Sequence, residues 1–167
     1  IVAAALEGCG GVNTPGLVNA FTLNTPNPFV ALDCTQSSAA LDPNDKQGFP
    51  PGAGAEHFIR ENTGIDYMIR FQNTGTDTAF TVVVLDTLSA HLDVASVRPG
   101  AASHEYEFAV IDGNVLRFRF NNILLPDSNV NEAASHGFIR FSIEQQPDNP
   151  DGTVIYNKAA IYFDFNA

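Results

Sequence analysis

One short run, Asp42-Pro43-Asn44-Asp45, sets three oxygen-bearing side chains on a backbone that Pro43 stiffens. Calcium binds roughly six to eight oxygens from carboxylates, amides and carbonyls. If the first strand of a domain starts here, the turn at 73–78, with Asp77, is expected at the same end. So is the turn at 145–152, with Asp148 and Asp151. The expected ligand set is Asp42, Asn44, Asp45, Asp77, Asp148 and Asp151, with calcium as the cofactor, because carboxylates gathered without a cation repel one another. The alternative for the first run is an Asx-type cap that stiffens a linker without metal.

Other reactive side chains are sparse. Cys9 and Cys34 are the only cysteines. In an acidic, lysine-poor chain they suggest a disulfide and an oxidising compartment, against the reading of two unrelated buried thiols. Lys158 could in principle form an amide cross-link to an asparagine, but no acidic partner for it is evident. Asn157 shares a strand face with Ile155, Ala159 and Ile161, and is expected as a buried amide bonded to backbone. Asp164, between Phe163 and Phe165, is expected to point outward and pair with Arg117, Arg119 or Arg140. His57, His91, His104 and His136 show no metal-ligand spacing. No nucleophile elbow, phosphate-cradling glycine loop or Cys-x-x-Cys occurs. Paired carboxylates for glycoside hydrolysis would have to come from turn residues, where solvation is the ordinary explanation. No catalytic residue is assigned.

These side chains must be positioned by strands. Ile65, Tyr67, Ile69 and Phe71 alternate with Asp66, Met68, Arg70 and Gln72, which puts one face in a core. The turn formers of 73–78 lead into a β-branched run at 81–84, as a hairpin or as a corner between sheets. Asp112-Gly113 signals a tight hairpin between strands at 105–111 and 114–120. Further strands are expected at 56–60, at 91–97 up to Pro99-Gly100, at 137–144 and at 153–165. Residues 121–135 read as a polar connection. Residues 1–7, 17–23 and 28–33 have strand composition, with a loop over 8–16. No helical stripe of useful length appears. Hydrophobic residues make up 44% of the 167-residue chain and charged ones 16%, enough apolar content for a core filled by thirteen Phe and no Trp. The net charge of −11 disfavours nucleic acid and anionic membranes. No segment is apolar enough to insert in a bilayer as a helix.

Several phrases occur together in one known setting. They are Asp42-Pro43-Asn44-Asp45-Lys46, the run from Ile69 to Phe80, Phe120 to Ser128, Ala134-Ser135-His136-Gly137-Phe138, and Ile161 to Ala167. They resemble a conserved-repeat, immunoglobulin-like domain near the C-termini of secreted Bacteroidota surface proteins, ahead of the tail that type IX secretion recognises. Pro15 to Val18 and Asp33-Cys34 resemble the segment that precedes that domain. The resemblance implies a stalk or adhesion module, with no activity attached to it. The chain opens on Ile1 and closes ahead of any sorting tail, as a processed product or a piece of a longer protein would.

The expected fold is all-β: an immunoglobulin-like β-sandwich of about seven strands over 42–167, with extra N-terminal strands and a linker over 1–41. Those extra strands would belong to a preceding or swapped β-domain. The expected role is a non-catalytic structural or adhesion module, extracellular or on a cell surface. Its partners would be neighbouring β-domains of the same or identical chains. Strand donation could carry it into a head-to-tail homopolymer, because unpaired edges recruit strands. The alternative is a carbohydrate- or host-surface-binding module, against which the lack of Trp counts.

Overall fold

In the computed structural model the chain divides into two compact units, Ile1–Leu41 and Asp42–Ala167. The structure describes residues 44–164 together with the strands β1 (Val2–Glu7) and β2 (Asn13–Val18). These two pair antiparallel, with Val2 opposite Val18 and Glu7 opposite Asn13. The pairing draws Asn13 to Gly16, expected as loop, into a strand. The expected strand at 28–33 and both cysteines lie outside the described residues.

Among its described residues the second unit holds eight strands: β3 (Asp45–Phe49), β4 (Ile65–Gln72), β5 (Ala79–Thr87), β6 (Leu92–Ala102), β7 (Glu107–Ile111), β8 (Val115–Leu125), β9 (His136–Gln145) and β10 (Lys158–Phe163). They form two antiparallel four-stranded sheets, in the orders β3-β4-β9-β6 and β10-β5-β8-β7. The fold is an all-β, immunoglobulin-like sandwich with one strand more than the sequence suggests. The core follows from strict alternation. Ile69 and Phe71 of β4, with Ile139 and Phe141 of β9 beside them, face Phe118 and Phe120 of β8 across the interior, all six at most 1% exposed. The rings of Phe71 and Phe120 lie 5.4 Å apart, and those of Phe118 and Phe141 lie 5.7 Å apart. Such aromatic pairs add roughly 0.5–1.5 kcal/mol each beyond the area they bury.

The run from Gly64 to Leu88 is a corner, not a hairpin, since β4 and β5 belong to different sheets. Asn73 builds it. Its buried amide donates to the Asp77 and Leu125 carbonyls, at 2.8 and 2.9 Å, and its oxygen accepts from the Gly75 N–H. Asp112 and Gly113 both take positive φ, as a tight hairpin turn between β7 and β8 requires. Three boundaries differ from expectation. β6 runs on through Pro99-Gly100, because β6 is an edge strand and Pro99 needs no donor on its open side. β8 continues through 121–125, with Asn122 and Leu124 at positive φ, and this keeps Ile123 and Leu125 in the core. The last strand starts only at Lys158, and Glu56 to Arg60 contributes a single bridge, Ala53 to Phe58.

β4 rises to the 73–78 corner, β5 descends from it, and β3 descends beside β4 with Asp45 opposite Arg70. β10 climbs beside β5 from Lys158, opposite Thr87, to Phe163, opposite Val82. The first and last strands of the domain are therefore edge strands of different sheets, and the chain enters and leaves at one end of the sandwich. At the other end lie the connections 50–64, 88–91 and 146–157 and the β7–β8 turn.

Candidate functional site

The inward face of β5 runs Val82, Val84, Asp86. The first two are core residues, and the third is a carboxylate with no solvent exposure. Strict alternation sends Asp86 inward regardless of its charge, so something must meet it there. Lys46 does, reaching across from β3 to place Nζ 2.5 Å from Asp86 Oδ2, with its own side chain 13% exposed. Two aromatic rings wall the amine off from water: Tyr67, with its ring centre at 4.3 Å, and Phe141, at 5.6 Å. Burial pulls the Lys46 amine from its ordinary 10.5 to about 8, against the attraction of Asp86. Burial likewise pushes the Asp86 carboxyl above its ordinary range, against the pull of Lys46. Both shifts run toward the neutral forms, because burial disfavours either charge.

The third member is Asn157, at the foot of β10. It lines a small cavity with Asn44, Asp45, Lys46, Ile69 and Ala159. Its carboxamide lies near enough to the Asp86 carboxyl and the Tyr67 hydroxyl to bias the titration of both. Yet its Nδ2 and Oδ1 are shut off from solvent and make no hydrogen bond of ordinary geometry. The expected backbone partner of Asn157 is thus not found. Among the described residues, the buried side-chain N and O atoms left without partners are these two and Asp86 Oδ1, all in one cluster. An amine, a carboxyl and a carboxamide, desolvated together, form an arrangement able to exchange protons and acyl groups.

The expected calcium ligands do not gather. Asp45 forms an ion pair with Arg70, whose guanidinium holds the Asp45 carboxyl below its usual range. Asn44 Oδ1 accepts from the Gln72 N–H, and Asp77 Oδ1 accepts from the adjacent Thr78 N–H at 2.7 Å. These three lie at the end where the chain enters. Asp148 and Asp151 lie at the opposite end, because β9 runs from His136, beside Gln72, to Gln145, beyond Ile65, before their loop begins. That loop is tied to the far end by Gln146 N–H donating to the His91 carbonyl and by Asn149 donating to the same oxygen. Asp42 lies outside the described residues. Among those residues no group of three or more His, Cys, Asp or Glu could hold a metal ion. The convergence expected of the turns fails because the 145–152 turn follows a descending strand.

Asp164 is also placed differently. It takes positive φ, and its Oδ1 accepts the N–H groups of Phe80 and Thr81 at 2.7 and 2.8 Å. It ends β10 by capping the start of β5, and pairs with none of the three arginines.

The far end carries a second feature. Phe49, Pro51, Phe58, Ile59, Val154 and Ile155 line a groove between the 50–64 and 146–157 connections. Phe58 is 69% exposed and Val154 56%, and Tyr156, on the same connection as Val154, is 79% exposed.

The sequence profile of a family described as "Domain of unknown function (DUF7619)" matches residues 42–167. The chain belongs to this family. The matched stretch is the whole sandwich, with Lys46, Asp86 and Asn157 inside it. No curated protein matches the chain by sequence. Among solved structures, the collagen-binding domain from a Staphylococcus aureus adhesin overlays with a TM-score of 0.44 at 10% identity, covering 72% of this chain and 85% of that one. The collagen-binding domain of the Erysipelothrix rhusiopathiae surface protein RspB gives 0.44 at 13% identity, over 72% of this chain and 39% of that one. The pilus backbone RrgB from Streptococcus pneumoniae gives 0.44 at 11% identity, over 72% and 30%. The chain spans well under two thirds of the last two proteins. At this level the likeness is one of fold.

Proposed function

We propose that this chain is a non-catalytic structural or adhesion module of a secreted protein held at a cell surface, reaching it by type IX secretion. The observation that carries this reading is the placement of the chain's two crossings. The described chain enters at Asn44 and leaves at Asp164 on the same end of the sandwich, and the exposed apolar side chains lie at the far end. Phe58, Val154 and Tyr156, exposed on the sandwich at that far end, suit contact with another surface. They also favour the second reading, a carbohydrate- or host-surface-binding module, because aromatic faces supply contact area at low entropic loss.

Assembly is the finer part of the proposal. β3, β6, β7 and β10 are edges of their sheets, and a strand from the 1–41 segment of a neighbouring copy would extend one of them. Beads coated with the full chain test the adhesive role. They are expected to be retained on glycan- or matrix-coated surfaces, and the double variant F58S/Y156S is expected to lose retention while staying folded. Equal retention of wild type and variant on every coating would overturn the assignment to the far end. Light scattering that finds only monomer across a wide concentration range would remove the homopolymer.

A further inference from the structure

The three orphaned atoms beside Lys46 call for an explanation, because a buried polar group without a partner is strongly disfavoured and rare. Asn157 is the least accounted for, since both ends of its carboxamide are buried and unpaired. Lys46 and Asp86, bonded to each other at 2.5 Å, are its neighbours in the cluster. A carboxamide held without hydrogen bonds beside a desolvated amine and a carboxyl is a set of reactants held in place. We propose that Lys46 and Asn157 join in an intramolecular amide bond, with Asp86 as the proton shuttle.

The step balances without any other reagent. The neutral Lys46 Nζ attacks Asn157 Cγ, while the protonated Asp86 carboxyl donates to Asn157 Oδ1 as that oxygen gains charge. Asp86 then takes a proton from the attacking nitrogen and passes it to Nδ2. The Nζ–Cγ bond forms, the Cγ–Nδ2 bond breaks and ammonia leaves, and as the carbonyl re-forms the Oδ1 proton passes back to Asp86, which is returned to its starting protonated form. No oxidant, nucleotide or metal takes part. Three features of this chain serve the step. Burial moves both groups toward their neutral forms, which one proton passed from Lys46 to Asp86 across their 2.5 Å contact supplies. The rings of Tyr67 and Phe141 exclude the water that would hydrate the amine. The cavity lined by Lys46 and Asn157 gives ammonia a way out. After the reaction the orphaned carboxamide is gone, and the new amide can bond to Asp86.

The bond would link β3, the first strand of one sheet, to the segment that opens β10, the last strand of the other. The edge strands at which the chain enters and leaves would then be held covalently across the sandwich. This inference does not depend on what the far end binds.

Intact-mass measurement of the folded, full-length chain tests it. The wild type is expected to be lighter than its sequence by one ammonia. A digest is expected to yield one branched peptide carrying both Lys46 and Asn157, with no cleavage after Lys46. K46R, D86N and N157A are each expected to show the full sequence mass, and K46R keeps a long cationic side chain in case truncation prevents folding. A folded wild type at full sequence mass overturns the proposal. So does a deficit of one water with Lys46 joined to Asp86, or an ammonia deficit that survives in K46R. An ammonia deficit in folded D86N would overturn the role given to Asp86. The wild-type measurement stands whether or not any variant folds.

Discussion

At the scale of single residues, this domain is decided by where strict alternation sends polar side chains. Asp86 and Asn157 both fall on inward positions, and Lys46 reaches in from the facing sheet. In an un-cross-linked chain such as N157A, Lys46 keeps its amine, which carries a proton up to about pH 8 when folded and up to 10.5 when unfolded. Between those values the unfolded chain binds the extra proton, so stability rises with pH. Asp86 acts elsewhere: its raised value makes stability fall as pH climbs from 3.8 toward its folded value. Tyr67, held above 10.0 by burial, opposes the lysine only in the more alkaline range. Asp45, which lines the same cavity and is held below the ordinary carboxylate range by Arg70, keeps its charge across the window. Urea unfolding of N157A is therefore expected to gain midpoint from pH 8 toward 9 or so, whereas the cross-linked wild type, with no amine at Nζ, is expected to lack this gain. Parallel curves for the two would show that the amine is equally present in both.

At the scale of elements, close packing leaves particular positions no freedom. Gly137 on β9 sits opposite Phe71 on β4, and a Cβ there would lie 2.2 Å from the Phe71 ring. Phe71 cannot swing away, since its ring is packed against Phe120 and Phe163. Gly137→Ala is expected to lower stability by about 2–3 kcal/mol through overpacking, read as a lower denaturation midpoint. Stability unchanged within about 0.5 kcal/mol would mean that the ring has room the packing denies it. The boundaries hard to read in the sequence belong to this scale too. β6 passes through Pro99 and β8 through Asn121-Asn122, because an edge position and a bulge accommodate residues that local propensity reads as strand breakers.

At the scale of the whole molecule, the covalent tie proposed between β3 and the start of β10 encloses nearly the entire sandwich. In the chain-entropy view, a cross-link closing a loop of about 100 residues contributes roughly 4–5 kcal/mol. For a domain of this size that corresponds to a melting temperature higher by on the order of 15 °C. Calorimetry of wild type against N157A is expected to show a gap of this order. A gap of under about 3 °C, with the cross-link present by mass, would mean that the tie does not limit unfolding.

Much of this protein was open to reading from residue order alone. Two-residue alternation from Ile65 to Phe71, and again along β8 and β9, is a local property of strands, so the sandwich and its phenylalanine core follow from sequence. So does the tight turn at Asp112-Gly113. The inward phase of Asn157 is visible in the same way, and the carboxylate at the third inward position of β5 is a signal that alternation also offers. What sequence could not supply is which residue faces which across the two layers, for that depends on how strands more than a hundred residues apart stack. Lys158 adjoins Asn157 in the chain, yet the amine that meets Asp86 is Lys46, brought across the sandwich from the first strand. The same stacking parts Asp148 and Asp151 from Asn44, Asp45 and Asp77, since a turn's place at one end or the other is set by the direction of the strand before it. Neighbourhood along a chain is written in its order, but neighbourhood across a core exists only once the sheets have closed on each other.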